Sequence, residues 1–150
     1  MSLSEAPRAE NKLLGALSAK CYKRLLPDFE LVELPLGTTL YHQNQRMKHV
    51  YFPRWAAVSM VSVFEDGSMV EVGVVGREGV VGSSLLSGDD ISPHQAIVQI
   101  GDGAWRMSAA AFKREIDGNA HKALLDELPV TDIDIEEVPI EDVIRQIFAR

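Results

Sequence analysis

The chain has 150 residues, 46% of them hydrophobic and 25% charged, with a formal net charge of −7. This length suits one domain with a hydrophobic core, and the composition excludes a disordered chain. No apolar run approaches the ~20 residues that span a bilayer, and the first residues lack the features of a signal peptide. The single cysteine, Cys21, fits a reducing compartment. We therefore expect a cytoplasmic protein without membrane contact.

The negative charge is concentrated near the C-terminus. Residues 1–125 carry 13 basic and 14 acidic side chains, whereas residues 126–142 carry eight carboxylates and no lysine or arginine. Proteins bind nucleic acid largely by neutralising phosphates with lysine and arginine, so we expect no direct nucleic-acid contact. Apolar residues alternate with the acidic ones, which indicates a stripe that packs on the rest of the domain or on a second copy.

The N-terminal part has the periodicity of a helix over about residues 8–26. Apolar residues recur there at intervals of three and four, namely Leu13, Leu14, Leu17, Cys21, Leu25 and Leu26. Ser18 can cap a second turn, and Pro27 stops the helix.

Short β-rich runs follow, at residues 29–34, 38–41, 49–52, 58–64, 69–75, 96–100 and 105–107. Turn residues separate them about every ten positions, which is typical of a sandwich or barrel. We expect about eight strands, with a short helix between the sixth and the seventh. The clearest local signal is Glu65-Asp66-Gly67-Ser68, because Asp-Gly favours a tight turn. It predicts an antiparallel hairpin between residues 58–64 and 69–75.

Glycines interrupt the strand pattern at residues 76–82 and predict a loop that leads into the short helix. Ser108 is a good N-cap for a helix at 109–116, which Asp117-Gly118 ends. Helices at 120–128 and 140–149 and an edge strand at 132–138 complete the prediction. The fold class is α+β, mainly β. We expect one domain over residues 1–150, with the N-terminal helix, a β-roll at about 28–107, and C-terminal helices with an acidic tail at about 108–150.

Five sequence segments resemble one family. They are LPLGTTLYHQ (34–43), HVYFP (49–53), EDG (65–67), VGVVGREG (72–79) and SAAAF (108–112). In this order and spacing they are similar to the effector domain of Crp/Fnr-type bacterial transcription regulators, over roughly residues 11–116. The resemblance implies a jelly-roll-like β-roll (a double-stranded β-helix) with flanking helices. It also implies a regulatory role rather than an enzymatic one.

Family members that bind cyclic AMP hold it with a short helix, a glutamate and an arginine. Helix amides and the arginine fork bind the phosphate, and the glutamate binds the ribose hydroxyl. Gly82 keeps the glycine of this motif, but Ser83 stands at the glutamate position, and His94 falls near the arginine position. Both charged contacts are therefore missing. We expect a degenerate pocket that does not bind cyclic AMP tightly, and no other cofactor.

The candidate ligand-binding residues lie in or near this motif. They are Gly82, Ser83, Ser84 and His94, and Val72 and Val98 would form the walls of the pocket. His94 has the strand parity of Ala96 and Val98, so its side chain can point into the roll. The effector would be a small molecule. Family members dimerise through helices after the roll, so we expect a homodimer. The family continues into a helix-turn-helix domain, and we expect no DNA-binding domain within these 150 residues.

Two other functions remain open from the sequence. One is a stand-alone dimerisation or interaction module whose own side chains fill the pocket. The other, ranked lowest, is a cupin-like enzyme, because cupins share a similar β-roll and bind metal through a His-x-His pair. The four histidines (His42, His49, His94 and His121) include no such pair. We therefore predict no catalytic and no metal-binding residues.

Overall fold

The computed structural model describes residues 5–117. Its helices are α1 (Ala6–Glu10), α2 (Lys12–Gly15), α3 (Ala19–Leu25) and α4 (Ala109–Asp117), with 3-10 helices at Leu26–Asp28 and Ser83–Ser87. Its strands are β1 (Glu30–Leu34), β2 (Thr39–Tyr41), β3 (His49–Pro53), β4 (Ala57–Val63), β5 (Met69–Val75), β6 (Gln95–Ile100) and β7 (Asp102–Ser108).

The strands form two antiparallel sheets that face each other as a β-roll. The three-stranded sheet has the order β1-β7-β3, and the four-stranded sheet has the order β2-β6-β4-β5. Chain connections at residues 34–39, 53–57 and 100–102 pass from one sheet to the other at the same end of the roll. This architecture confirms the predicted fold class.

The predicted hairpin between β4 and β5 is present. Val58 pairs with Val75 and Val63 pairs with Met69, and Gly67 adopts a φ of +87° in the turn. The Phe64 N–H donates to the Ser68 carbonyl at 2.9 Å and closes the turn. A bulge lies in β5, because Met60 pairs with Gly73 while Val61 pairs with Glu71.

The predicted N-terminal helix is broken into three short helices. Asn11 has an extended backbone (φ −125°, ψ 125°), and its side-chain oxygen accepts hydrogen bonds from the N–H groups of Leu13 and Leu14. A polar residue that caps a new helix in this way ends the previous one. Ser18 caps α3 through the Cys21 N–H, as predicted, and α3 ends at Leu25, before Pro27. Cys21 is buried in the core.

The seven β-rich runs predicted within the described residues correspond to the seven strands found there, whereas the predicted edge strand lies outside them. The short helix was predicted between the sixth and the seventh strand, and this was wrong, because it lies between the fifth and the sixth. Arg46, Val81 and Ile91 form only isolated bridges, which are too short to count as strands. The last strand starts at Asp102, earlier than the predicted 105–107. The predicted elements at 120–128, 132–138 and 140–149 lie outside the described residues.

Helices cover the outer face of the three-stranded sheet. Phe52 of β3 contacts Phe29 and Phe112 edge-on, with ring centroids 5.6 and 6.4 Å apart. Trp105 of β7 is buried and donates from Nε1 to the Glu10 carboxylate at 3.1 Å. Ser108 caps α4 by accepting from the Ala111 N–H, as predicted. The opposite, inner face of this sheet faces the four-stranded sheet.

Candidate functional site

Gly82 begins the segment that the sequence resemblance aligns with the family's nucleotide-binding helix, which we call the cassette segment (residues 82–87). Its φ is +108°, a conformation that favours glycine. A Cβ atom here would lie 2.9 Å from Cγ1 of Val50 and 3.0 Å from the Tyr41 hydroxyl. Gly82 is therefore needed for both its backbone conformation and its close packing on two strands.

The cassette segment lies against the core. Leu85 and Leu86 are buried, and Ser83, at the position of the family glutamate, is also buried. Ser84 is only partly buried, and its hydroxyl lies 3.8 Å from the Met47 sulfur. A glutamate at position 83 would have to place its carboxylate in this buried environment, which is unfavourable without a paired charge.

Residues 92–94 hold His94 at the start of β6. Ser92 is buried, and its hydroxyl donates to the His94 carbonyl oxygen. The Ser92 N–H donates to the Gln45 carbonyl at 2.9 Å, and the Ser92 carbonyl accepts from the Asn44 N–H at 2.7 Å. Asn44 adopts a left-handed φ of +67°, which asparagine tolerates better than most residues. The backbone before His94 is thus fixed from both sides.

The His94 side chain meets Ser62 of β4. The distance between His94 Nδ1 and Ser62 Oγ is 3.3 Å. Two residues earlier on β4, Met60 pairs with Ala96, and both are buried on the inner face of the sheet. Alternation places Ser62 and His94 on that same inner face.

Val70 of β5 pairs with Ser62 and so shares the inner face with it and His94. Yet Val70 is 52% exposed, so this end of the roll opens to solvent. We call Ser62, Val70 and His94 the mouth of the roll.

The two predicted wall residues differ in their environment. Val72 occupies the bulge of β5 and is partly buried against the core. Val98 is fully buried and lies four residues beyond His94 along β6, roughly 13 Å at the rise of a strand. Val98 therefore belongs to the core and lies away from His94. The residue that the structure places beside His94 is Ser62.

Two polar side chains that are not among the predicted site residues bond neighbouring segments of the roll. The side-chain amide of Gln43 accepts from the Val63 N–H at 2.7 Å and donates to the Val63 carbonyl at 3.2 Å. The buried Tyr41 hydroxyl donates to the His49 carbonyl, and it lies 3.3 Å from the Val81 carbonyl. Burial holds the pKa of Tyr41 well above its usual value, so it stays a neutral donor.

The loop before the cassette segment is attached to the N-terminal helices through Asn11. Its side-chain nitrogen donates to the carbonyls of Pro53 and Gly79, both at 3.0 Å, and the residue is completely buried. Arg77, in the same loop, lies 4.0 Å over the ring of Trp55. Trp55 is 55% exposed, so it is not the buried core residue that large aromatics usually become.

The mouth combines a hydroxyl, an imidazole and an aliphatic side chain, which can form hydrogen bonds and apolar contacts. Within the described residues, no group of three or more histidine, cysteine or acidic side chains is placed to hold a metal ion. Residues 5–117 also contain no helix long and apolar enough to cross a membrane.

Comparisons with known proteins agree with this geometry. The family model described as "Cyclic nucleotide-binding domain" matches residues 31–119, more than half of the chain. No curated protein matches the sequence.

Solved structures with a similar fold include the sensor domain of the transcriptional regulator DNR from Pseudomonas aeruginosa. It has 20% identity and a TM-score of 0.64, with 83% of this chain and 85% of that chain covered. A putative cyclic nucleotide binding protein from Ruegeria pomeroyi has 17% identity and a TM-score of 0.71. The match covers 84% of this chain and only 58% of that longer protein.

A cyclic nucleotide-binding-like protein from Brucella abortus has 17% identity and a TM-score of 0.59, with 73% of this chain and 99% of that chain covered. These likenesses agree with the family match and with the β-roll. The chain belongs to the cyclic nucleotide-binding domain family, and its fold is that of the sensor domains of Crp/Fnr-type transcription regulators.

Proposed function

We propose that this domain senses a small-molecule effector and that its nucleotide pocket is degenerate. The observation that supports this proposal is that a serine and a histidine stand at the two positions where the family's glutamate and arginine are expected. Ser83 is buried in the cassette segment, and His94 is engaged with Ser62 at 3.3 Å. Neither residue supplies the fixed charge of a glutamate or an arginine.

The affinity for cyclic AMP should be low for this reason. A hydrogen bond to a charged group contributes about 1.5–3 kcal/mol, so losing two weakens binding by roughly 10²–10⁴-fold. The residues present therefore do not fit tight cyclic nucleotide binding. The side chains at the mouth, Ser62, Val70 and His94, are better suited to a ligand without a phosphate, or to one held mainly by apolar contacts.

Signal transmission would run through the cassette segment to α4. The 3-10 helix Ser83–Ser87 packs against α4, and α4 also packs against β3 and β7. A ligand at the mouth that favours one position of the cassette segment would shift α4 and the residues after it. We propose that these residues contact a second copy in a cytoplasmic homodimer, and that the domain does not itself contact nucleic acid or membrane.

Calorimetric titration with cyclic AMP and cyclic GMP tests the proposal. We expect micromolar binding by the Ser83→Glu/His94→Arg double variant, and binding by the wild type that is roughly 10²–10⁴-fold weaker, with a Kd of about 0.1 mM or more. His94→Arg alone should bind with intermediate affinity. His42→Arg is the matched control, because it adds an arginine at an exposed histidine of a turn and should not bind.

Two outcomes would contradict the proposal. Micromolar binding by the wild type would show an ordinary nucleotide sensor. No binding by the wild type or by the folded double variant would indicate a pocket filled by its own side chains. The stand-alone dimerisation module would then be the better function, since the side chains of Tyr41, Met60 and Val98 are buried within the roll.

A further inference from the structure

A second polar cluster lies on the inner face of the three-stranded sheet. Arg106 of β7 pairs with Glu30 of β1 on one side and with Tyr51 of β3 on the other, so all three share a face. That face is directed to the four-stranded sheet, because the ring of Tyr51 lies 6.0 Å from the ring of Tyr41 in β2. The inner face of this sheet therefore carries two charged side chains, Arg106 and Glu30, next to apolar and aromatic ones.

Arg106 has a buried neighbour on one side and an exposed one on the other. It lies opposite the buried Tyr51 in the β3–β7 pair. Its Nε and Nη2 both approach the same oxygen of Glu30, Oε1, at 2.7 and 2.5 Å. The side chain of Glu30 is 55% exposed, against 29% for that of Arg106. Glu30 is thus the half of the pair that can move into solvent.

The contact with Glu30 leaves part of the guanidinium's capacity unused. A guanidinium carries five N–H donors in a planar fork. The fork matches two oxygens of one anion in parallel, which is a stronger arrangement than two donors on a single oxygen. A carboxylate or phosphate in place of Glu30 could accept from the guanidinium through two oxygens in parallel, whereas Glu30 uses only one.

His49 provides a further group beside Arg106. Its ring centroid lies 6.2 Å from that of Tyr51. Partial burial and the neighbouring Arg106 lower the pKa of His49, so its ring is neutral near pH 7 and still has one N–H to donate. The cluster therefore offers one fixed positive charge and neutral polar groups around it.

We propose that Arg106, with Tyr51 and His49, forms a binding site for a small anion that presents two oxygens. Glu30 occupies the guanidinium in the absence of the anion and is displaced by it. The site lies on the three-stranded sheet and uses none of the cassette residues. It therefore does not depend on ligand binding at the mouth of the roll.

Titration of the full chain with inorganic phosphate at constant ionic strength tests this proposal. Glu30→Gln removes the internal competitor and should tighten phosphate binding at least tenfold relative to the wild type. Adding Arg106→Gln to that variant should abolish the binding. The control is Asp28→Asn, since Asp28 pairs with Arg114 at 3.2 Å on the exposed surface. This control should leave phosphate binding unchanged.

Acetate in a parallel titration defines the class of anion. A gain with both anions in Glu30→Gln supports a site for any two-oxygen anion, and a gain with phosphate alone narrows it to phosphate compounds. Equal affinity in the wild type and in Glu30→Gln would overturn the proposal. The proposal would also fail if Asp28→Asn gave as large a gain, because the loss of any surface carboxylate would then explain the effect.

Discussion

At the scale of single residues, the structure separates two uses of glycine in and around the cassette segment. Gly82 and Gly88 flank the 3-10 helix and both have positive φ, +108° and +88°. A Cβ at Gly88 would meet nothing within 4 Å, whereas at Gly82 it would overlap Val50 and Tyr41. The two positions thus carry the same kind of backbone strain and differ in the space around them.

Gly82→Ala should destabilise the domain by about 3–4 kcal/mol, because left-handed strain and overpacking add at this position. Gly88→Ala should cost only about 1–2 kcal/mol, from the backbone strain alone. Urea unfolding followed by circular dichroism measures both. Equal losses for the two variants would show that the contacts of Gly82 with Val50 and Tyr41 do not constrain the cassette segment.

At the scale of elements, Asn11 joins three parts of the fold. Its backbone ends α1, its side-chain oxygen begins α2, and its side-chain nitrogen bonds the carbonyls of Pro53 at the end of β3 and Gly79 before the cassette segment. The Lys12 N–H adds a bond to the Arg77 carbonyl at 2.8 Å. The N-terminal helices are therefore bonded directly to the loop that leads to the candidate site.

Asn11→Ala should destabilise the domain by about 3–5 kcal/mol, because it leaves two buried carbonyls without a donor and removes a helix cap. Ser18→Ala is the matched control, since Ser18 caps α3 at an exposed position and should cost about 0.5–1 kcal/mol. Thermal and urea unfolding give both values. A loss in Asn11→Ala no greater than that in Ser18→Ala would contradict a joining role for Asn11.

The helix break at Asn11 shows why some elements could not be predicted. The apolar spacing of Leu13, Leu14 and Leu17 fits one continuous helix, and a single polar residue in such a pattern normally indicates the exposed face. Only the partners of Asn11, which lie 42 and 68 residues away, show that it is buried. The hairpin at residues 65–68 was predictable because its signal is local.

At the scale of the whole molecule, the candidate site depends on register between strands that are distant in sequence. Parity along one strand was enough to predict that His94 faces inward. Its neighbour Ser62 was not predictable, because 32 residues separate the two and the pairing of β4 with β6 brings them together. The bulge in β5 also shifts which residues face inward, and alternation in the sequence cannot show it.

The stability of the whole molecule should depend on pH through His49. Groups on three strands surround it, Glu30 on β1, Tyr51 on β3 and Arg106 on β7, together with the adjacent Lys48. Burial and Arg106 lower the pKa of His49 in the folded state, and the weaker effect of Glu30 opposes them. In the unfolded chain the pKa returns to about 6.5. Between these two pKa values the unfolded chain binds more protons than the folded one, so stability falls as pH decreases from about 6.5 through the folded-state pKa.

Urea unfolding of the wild type and of His49→Gln between pH 5 and 7.5 measures this dependence. As pH falls below about 6.5, the wild type should lose more unfolding free energy than His49→Gln does. This extra loss should stop once the pH is below the folded-state pKa of His49. His42→Gln is the control, because His42 is exposed in a turn and should keep the wild-type slope. A wild-type slope that survives in His49→Gln would assign the pH dependence to another group. It would also remove the support for a neutral His49 beside Arg106, since that neutral state rests on the same burial and the same neighbouring charge.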